Sequence, residues 1–337
     1  MPDSRWLVYR GTGRPHDGIE TLPPPPPWRA FDGEVAAEPE SWAEADVRRL
    51  NKGRQAAIDR ARVYRPSPDV VEMVNAALYL RRPLLVTGKP GTGKSTLAFS
   101  VAYELKLGPV LYWPIGSHSK LTDALYRYDA IGRLQEAGLR GADGPPDIGR
   151  FVRLGPLGTA LVPAERPRVL LVDELDKSDI DLPNDLLNVF EEGEFDIPEL
   201  SRLPDDQPEV RVMTEDPGRL ATISRGRVRC RAFPLVVITS NGEREFPPAL
   251  LRRCLRVNIQ PPDTEKLAEI VAGHLGEDAL AESRDLLARF VERRDHGDLA
   301  TDQLLNAVYL AVSGVRPDLA TRERLVDRII QPLDNPG

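Results

Sequence analysis

Two cysteines and four histidines among 337 residues leave little from which to build a disulfide framework or a zinc site. Cys230 and Cys254 have no metal-ligand spacing between them, and thiols this sparse fit a reducing compartment, so a cytoplasmic location is expected. A run of about eighteen apolar residues, the length that spans a bilayer, occurs nowhere, which excludes a membrane-spanning helix. The opening "MPDSRWLVYRGTG" lacks a basic segment followed by an apolar core, so no secretion signal is expected. Positive charge is also in deficit. The chain holds 45 Lys and Arg against 52 Asp and Glu, a formal net charge of -7, which argues against nucleic acid as the partner.

What is present is enough apolar material, 41% of residues, to bury a sizeable core in one large or two moderate domains. The expected division is an extended proline-rich arm over 1–41, an α/β domain over 42–262 and a small all-helical domain over 263–337. Five consecutive prolines, Pro23 to Pro27, cannot join a helix or a central strand and should hold a stiff polyproline II segment. They read as a spacer laid on its own domain through Trp28 and Phe31, with a partner's aromatic groove as the other reading. No internal repeat or coiled-coil register appears.

A helical pattern runs from Trp42 to about Tyr64, and a second helix comes next in "SPDVVEMVNAALYL", with Ser67 as N-cap and Val70, Val71, Val74, Ala77 and Leu78 on one face. Buried-strand candidates stand at Leu84 to Val86, "PVLYWP" (109–114), "RVLLVDE" (168–174) and "FPLVVITSN" (233–241). Helical stretches alternate with them, one running from Lys94 to Leu107 and stopped by Gly108. That alternation predicts an α/β fold with a parallel sheet and helices on both faces. After Pro262 every segment has helical period and no strand candidate remains.

The stretch "RPLLVTGKPGTGKSTL" (82–97) contains Gly88, Gly93, Lys94 and Ser95 at the spacing G-x-x-x-x-G-K-[ST]. The loop Gly88, Lys89, Pro90, Gly91, Thr92, Gly93 is built to wrap backbone N–H groups around phosphate oxygens. Lys94 would reach the β- and γ-phosphates, Ser95 would ligate Mg²⁺, and Thr96 stands with them at the start of a helix whose dipole favours the same anion. The strand before and the helix after are both predicted, so the expected ligand is a nucleoside triphosphate. In "VLLVDELDKSD" four apolar residues deliver Asp173 and Glu174 to the carboxyl end of a strand, where ligands of open α/β sheets bind. Asp173 is expected to hold Mg²⁺ through its water shell and Glu174 to deprotonate the attacking water. Asp176 and Asp179 read as solvated residues or partners of Lys177.

The third element is Asn241, which ends a buried strand and whose amide can hydrogen-bond both the γ-phosphate and the lytic water, with Thr239 and Ser240 behind it as alternatives. Beyond it "PPALLRRC" is a short helix displaying Arg252 and Arg253. A guanidinium supplied from another subunit is suited to a transferring phosphoryl group.

With these elements in order the chain resembles the AAA+ ATPases, and within their dynein-related branch the MoxR-like group. The likeness spans roughly 66–332 and rests on "NAALYLRRPLLVTGKPGTGKSTLA", "LGPLGTALV" (154–162) before "VLLVDELDK", "LLNVFEEGEF" (186–195) and "TSNGEREFPPALLRR". The resemblance implies ATP as the nucleotide, a P-loop NTPase sheet with a helical lid, and a sensor strand lying between the P-loop and Walker B strands. It also implies a ring, usually of six subunits, with Arg253, or failing that Arg252, reaching into the neighbour's site. A client protein or a von Willebrand A-type partner is the implied target.

Two departures stand out. The lid helix begins "LATDQLLNA", putting Asp302 or Gln303 where many MoxR-like chains have a second-sensor arginine in a context like "SPRA"; Arg316 is the nearest substitute. Residues 199–232 are longer and more charged than a tight connection, with Val228 and Cys230 alternating with arginines as on a half-buried hairpin strand. That hairpin reads as solvated or as a subunit contact in preference to a nucleic-acid contact. Residues 120–138 also exceed a plain connector, and Leu125, Tyr126 and Tyr128 are candidates to face a ring pore or a client, with Leu125 and Tyr128 reading equally well as core residues.

The leading functional expectation is an ATP-hydrolysing remodeller of a partner protein. The alternative is a nucleotide-controlled assembly scaffold of a bacterial conflict or signalling system with little turnover. A small-molecule kinase ranks below both, because it has no use for a water-activating Glu174.

Overall fold

A computed structural model describes residues 6–35, 59, 61–140, 146–294, 299–312 and 319–331. Eleven strands are found among them: β1 (Leu84–Thr87), β2 (Leu111–Pro114), β3 (Tyr126–Tyr128), β4 (Val152–Leu154), β5 (Val169–Asp173), β6 (Glu194–Asp196), β7 (Glu209–Met213), β8 (Leu220–Ser224), β9 (Arg227–Arg229), β10 (Leu235–Ser240) and β11 (Leu255–Asn258). Five of them form the central sheet in the order β11-β1-β10-β5-β2, every pair parallel. The strand ending before Asn241 thus lies between the P-loop strand and the strand ending in Asp173, as the resemblance implied.

The middle of the sheet is buried on both faces because β1, β10 and β5 each open with successive apolar residues, Leu84 to Val86, Leu235 to Ile238 and Val169 to Val172, not with every second one. Alternate side chains enter different cores: Leu85, Leu170, Val172, Val236 and Ile238 face one cluster, and Leu84, Val86, Val169, Leu171 and Val237 face the other. Helices Leu182–Glu192 and Pro248–Arg253 cover the first face; helices Pro68–Leu80 and Lys94–Glu104 cover the second. This is the α/β fold with helices on both faces, followed by a helical region from Thr264.

Three elements differ from expectation. The helix predicted over Lys94 to Leu107 ends at Glu104, because Lys106 (φ 53) and Gly108 (φ 80) turn the chain in the left-handed region while Leu105 and Leu107 still enter the core. The edge strand β11 is an addition; four residues with only Val257 fully buried give too short a pattern to read. The long connections build a second sheet, in the order β3-β4-β7-β8-β9-β6, and the charged region 199–232 supplies three of its strands.

At β9 and just beyond it Val228 and Cys230 are buried, and the three arginines that alternate with them are all matched. Arg227 pairs with Glu194, Arg229 with Asp32 (2.8 Å) and Glu194 (3.3 Å), and Arg231 with Glu165 (3.1 Å). Leu125 belongs to the core, while Tyr126 stacks on Phe195 and donates to Glu199 at 2.9 Å. Tyr128 accepts from Arg133 at 3.2 Å. The apolar side chains this region exposes are instead Ile131, Leu134 and Leu139, on the helix Ala130–Arg140.

The N-terminal arm packs into the second core through Val8, Tyr9 and Ile19. Asn75 holds it there, accepting from the N–H groups of Val8 (2.7 Å) and Tyr9 (2.9 Å) and donating to the carbonyl of Tyr9 (2.7 Å). Phe31 stacks on Phe233, whereas Trp28 is 73% exposed and anchors nothing, so the arm lies on its own domain through Arg29 and Phe31. Of the helix expected over Trp42 to Tyr64, only residue 59 and residues 61–64 are described. The helices from Thr264 to Ile329 close around their own cluster, including Leu267, Phe290, Leu304 and Val308. No helix among the described residues is long and apolar enough to cross a membrane.

Both thiols are buried, and burial pushes each up to about 12. Neither should react with a disulfide reagent in the native protein, and both should react in guanidinium, a contrast readable by thiol titration.

Candidate functional site

The carboxyl ends of β1, β10 and β5 finish side by side, with Thr87 opposite Ser240 and Ile238 opposite Val172. The next residues therefore emerge together at the head of the helix Lys94–Glu104. A cleft of about 1140 Å³ opens there, lined by Pro90 to Thr96, Asp173, Glu174, Thr239 and Asn241 on one side. Asp263, Lys266, His274, Thr301 and Asp302 from the C-terminal helices line the other.

The loop takes its shape from two glycines. Gly88 has φ 150, and a Cβ there would lie 2.5 Å from the carbonyl oxygen of Ile259. Gly91 has φ 74, and a Cβ there would meet Ala300 at 2.5 Å, so the loop abuts the start of the helix Thr301–Val312. Lys94 is buried, at 7% exposure, and its ammonium donates to the carbonyls of Gly88 (2.7 Å) and Lys89 (2.9 Å). Gly88 and Lys89 thus stand behind the cleft, holding the lysine. Burial pulls the Lys94 pKa down, opposed by the nearby charges of Asp176, Glu174 and Asp173. An anion arriving at the loop would stabilise the charged form.

Asp173 is the hub of the site. Its Oδ1 accepts from Ser95 Oγ (2.6 Å) and Thr239 Oγ1 (2.7 Å), and its Oδ2 accepts from the Tyr112 hydroxyl (3.1 Å). The Thr239 hydroxyl in turn accepts from the Glu174 N–H at 2.8 Å. Glu174 has φ 63, an uncommon left-handed conformation for a residue other than glycine. The turn it makes projects the carboxylate past Asp173. One oxygen lies 2.8 Å from Lys177 Nζ and the other 3.4 Å from Asn241 Nδ2. Asn241, Glu174, Asp173, Ser95 and Lys94 are therefore gathered in one place. Arg252 and Arg253 stand outside it: Arg253 pairs with Glu191 at 2.7 Å, and Arg252 is exposed.

The donor set suits magnesium. Ser95 and Asp173 offer only oxygen, and among the described residues no group of three or more His, Cys, Asp or Glu forms a protein-only metal cage. Mg²⁺ ordinarily binds through one or two protein oxygens plus substrate phosphates and water.

Three residues hold roles in the site that the sequence did not assign to them. Asp176 is neither solvated nor paired with Lys177, whose partner is Glu174. It is 5% exposed, and its Oδ2 accepts from the N–H groups of Asn241 (2.9 Å) and Glu243 (3.1 Å), which fixes the turn carrying Asn241. Thr239 bridges Asp173 to Glu174, and Tyr112 reaches across from β2. Only Thr239, kept as an alternative to Asn241, carried any signal. Asp176→Ala strands two N–H groups and should cost about 2 kcal/mol. Asp176→Asn, which keeps an acceptor, should recover part of the loss in urea unfolding.

Of the two residues expected at a second-sensor position, Gln303 is committed within the helical region. Its Oε1 accepts from the Ala300 N–H (2.8 Å), and its Nε2 donates to the carbonyls of Ile329 (3.1 Å) and Gln331 (2.9 Å). Asp302 is exposed at the cleft, and Arg316 lies outside the described residues.

Residues 83–254 match the AAA domain of the dynein-related subfamily. The chain belongs to this family. The match takes in the P-loop, the Asp173–Glu174 strand, the Asn241 strand and both arginines of this AAA+ protein, and leaves out the arm and the C-terminal helices. Among solved structures, that of NtrX from Brucella abortus in complex with ADP is similar, at 16% identity and a TM-score of 0.41. The likeness covers 82% of the AAA+ chain and 58% of NtrX. No curated protein matches the chain by sequence.

Proposed function

We propose that this AAA+ protein is a MoxR-like ATPase of the cytoplasm, which hydrolyses magnesium-ATP and uses the motion of its C-terminal helices to remodel or activate a partner protein. The convergence of Lys94, Ser95, Asp173, Glu174 and Asn241 on one cleft carries the reading. The N–H groups of the loop from Gly88 to Gly93, Pro90 excepted, and those of Lys94, Ser95 and Thr96 receive the phosphates. Lys94 exchanges the carbonyls of Gly88 and Lys89 for β- and γ-phosphate oxygens. Ser95 and Asp173 hold the magnesium ion, which when bound neutralises charge on the phosphate oxygens. Glu174 takes the proton of the attacking water, and Asn241 orients that water and the γ-phosphate.

The reading includes a ring, six-membered by family kinship, in which Arg253 of one subunit completes its neighbour's site, with Arg252 the alternative. The arm over 1–41, the ATPase domain over 42–262 and the lid over 263–337 are its working parts. The contact between Gly91 and Ala300 supports a lid that responds to the loop. A client or von Willebrand A-type protein is the proposed target. Nucleic acid is not, and the matched arginines of β9 support that exclusion. A second reading, the assembly scaffold with little turnover, draws on the ion pair between Glu174 and Lys177, which occupies the general base.

Phosphate release and particle mass, tracked together with and without magnesium-ATP, separate these. Steady release from an ATP-dependent ring is the expected result. A ring without release transfers support to the scaffold. A monomer that neither binds nor cleaves millimolar ATP removes both.

A further inference from the structure

Arg253 is not held by the family-matched domain alone. Its Nε lies 2.7 Å from Glu191 Oε1, and its Nη1 donates to the Ala249 carbonyl at 3.2 Å. The other oxygen of the same carboxylate, Glu191 Oε2, lies 3.6 Å from Nη1 of Arg29. Arg29 comes from the N-terminal arm, outside the matched residues 83–254.

Arg29 is only 3% exposed, which is unusual for a charged side chain and demands that its donors be satisfied. They are. Its guanidinium donates to the carbonyls of Arg81 (2.7 and 3.1 Å), Phe190 (2.8 Å) and Glu191 (3.1 Å). Its plane lies against the rings of Phe233 (4.5 Å) and Phe31 (5.0 Å). These acceptors sit at the C-terminal turns of the helices Pro68–Leu80 and Leu182–Glu192, where carbonyls lack intrahelical partners and a cation is favoured. Arg29 is therefore a rigid post, and the Glu191 carboxylate lies between two guanidinium groups, ion-paired with Arg253 at 2.7 Å and 3.6 Å from Arg29. Arg252, one residue earlier, differs: its side chain is exposed, with no partner among the described residues.

We infer that Glu191 and Arg29 are positioning residues for Arg253: the arm's buried guanidinium fixes the Glu191 carboxylate, which fixes the Nε side of Arg253 and leaves its Nη2 to meet a γ-phosphate bound by an adjacent copy. The inference rests on the reading above that Arg253 acts in trans. Planar forks recognise phosphate by orientation as well as charge, so a fork held on one edge arrives in register. The arm thus contributes to hydrolysis at a neighbour's site without touching nucleotide. A merely structural ion pair would have a different signature, lowering the unfolding midpoint while sparing turnover in intact rings.

The test uses the full chain with Glu191→Gln, a near-isosteric change at a part-exposed position. In Glu191→Gln rings, kcat should fall about tenfold to a hundredfold, the range expected when a reacting group is misplaced, while KM for ATP stays within about twofold. Arg29→Lys, which keeps the charge and loses the fork, should fall in the same direction. Equal mixing of Glu191→Gln with Glu174→Gln subunits supplies the readout that no folding defect can imitate. About a quarter of the interfaces in such heterologous rings pair an intact Glu174 with an intact Glu191, so activity should rise above that of either variant alone. Wild-type kcat in Glu191→Gln, with Arg253→Ala inactive, overturns the inference and leaves the trans arginine standing. A mixture no more active than its parts overturns it too. Full turnover in Arg253→Ala overturns the reading on which it rests.

Discussion

Glu174→Gln should bind ATP at least as well as the unaltered protein and hydrolyse it about a hundredfold to ten-thousandfold more slowly, the range expected for loss of a general base. The amide keeps the shape of the side chain and an oxygen that can still accept from Asn241 Nδ2, 3.4 Å away. What it loses is the ability to take a proton. Binding should survive because, on the proposed reading, the phosphates are held by the loop and Lys94. Removing one carboxylate from beside them also removes a repulsion with the γ-phosphate. The same change releases Lys177, whose ammonium now lies 2.8 Å from Glu174 Oε2. Filter binding of labelled ATP together with phosphate release checks both halves. Turnover at the unaltered rate would deny Glu174 the role of base. Loss of binding together with turnover would place it in the nucleotide-holding machinery instead.

How much of this site the sequence disclosed depends on which interactions are local. Lys94, Ser95, Asp173, Glu174 and Asn241 each sit within a few residues of a four- to six-residue buried strand, and a buried run both marks the strand and delivers the residues after it to the sheet's carboxyl edge. Asp176 is as close in sequence, but its function is to accept from the backbone of residues 241 and 243, and nothing in "DELDKSD" distinguishes such an acceptor from a solvated aspartate. The second sheet was hidden for a different reason. Four of its six strands, β3, β4, β6 and β9, are three residues long, too short for alternation to register, and β4 pairs with β7 across more than fifty intervening residues. The arm was harder still, because its anchors are polar. Asn75, Glu104 and Arg29 are buried charges and amides that composition assigns to the surface.

Glu104 carries the largest stability effect expected in the molecule. It is the last residue of the helix that begins at Lys94, it is fully buried, and it stands at the end of the helix where the dipole disfavours a carboxylate. The arm reverses that penalty by folding its backbone around the side chain. Oε1 accepts from the N–H groups of Arg10 (2.6 Å) and Gly11 (3.1 Å), and Oε2 from those of Thr12 (2.7 Å) and Gly13 (2.9 Å). The Thr12 hydroxyl adds a bond at 3.2 Å, and His16 Nε2 lies at the same distance from Oε1. Glu104→Ala leaves all of these donors without an acceptor and should cost about 3–5 kcal/mol, as when one partner of a buried charged network is removed. Glu104→Gln should be nearly as damaging despite its shape, since its NH₂ group must point at N–H donors on one side or the other. In urea unfolding the two variants should therefore fall together, well below the unaltered protein. A Gln variant close to wild type would mean that the arm is held by its apolar contacts, Val8, Tyr9 and Ile19, and that the carboxylate only fills space. The distinction bears on the proposed catalysis, because the helix that Glu104 ends is the one whose first residues, Lys94 and Ser95, line the candidate cleft.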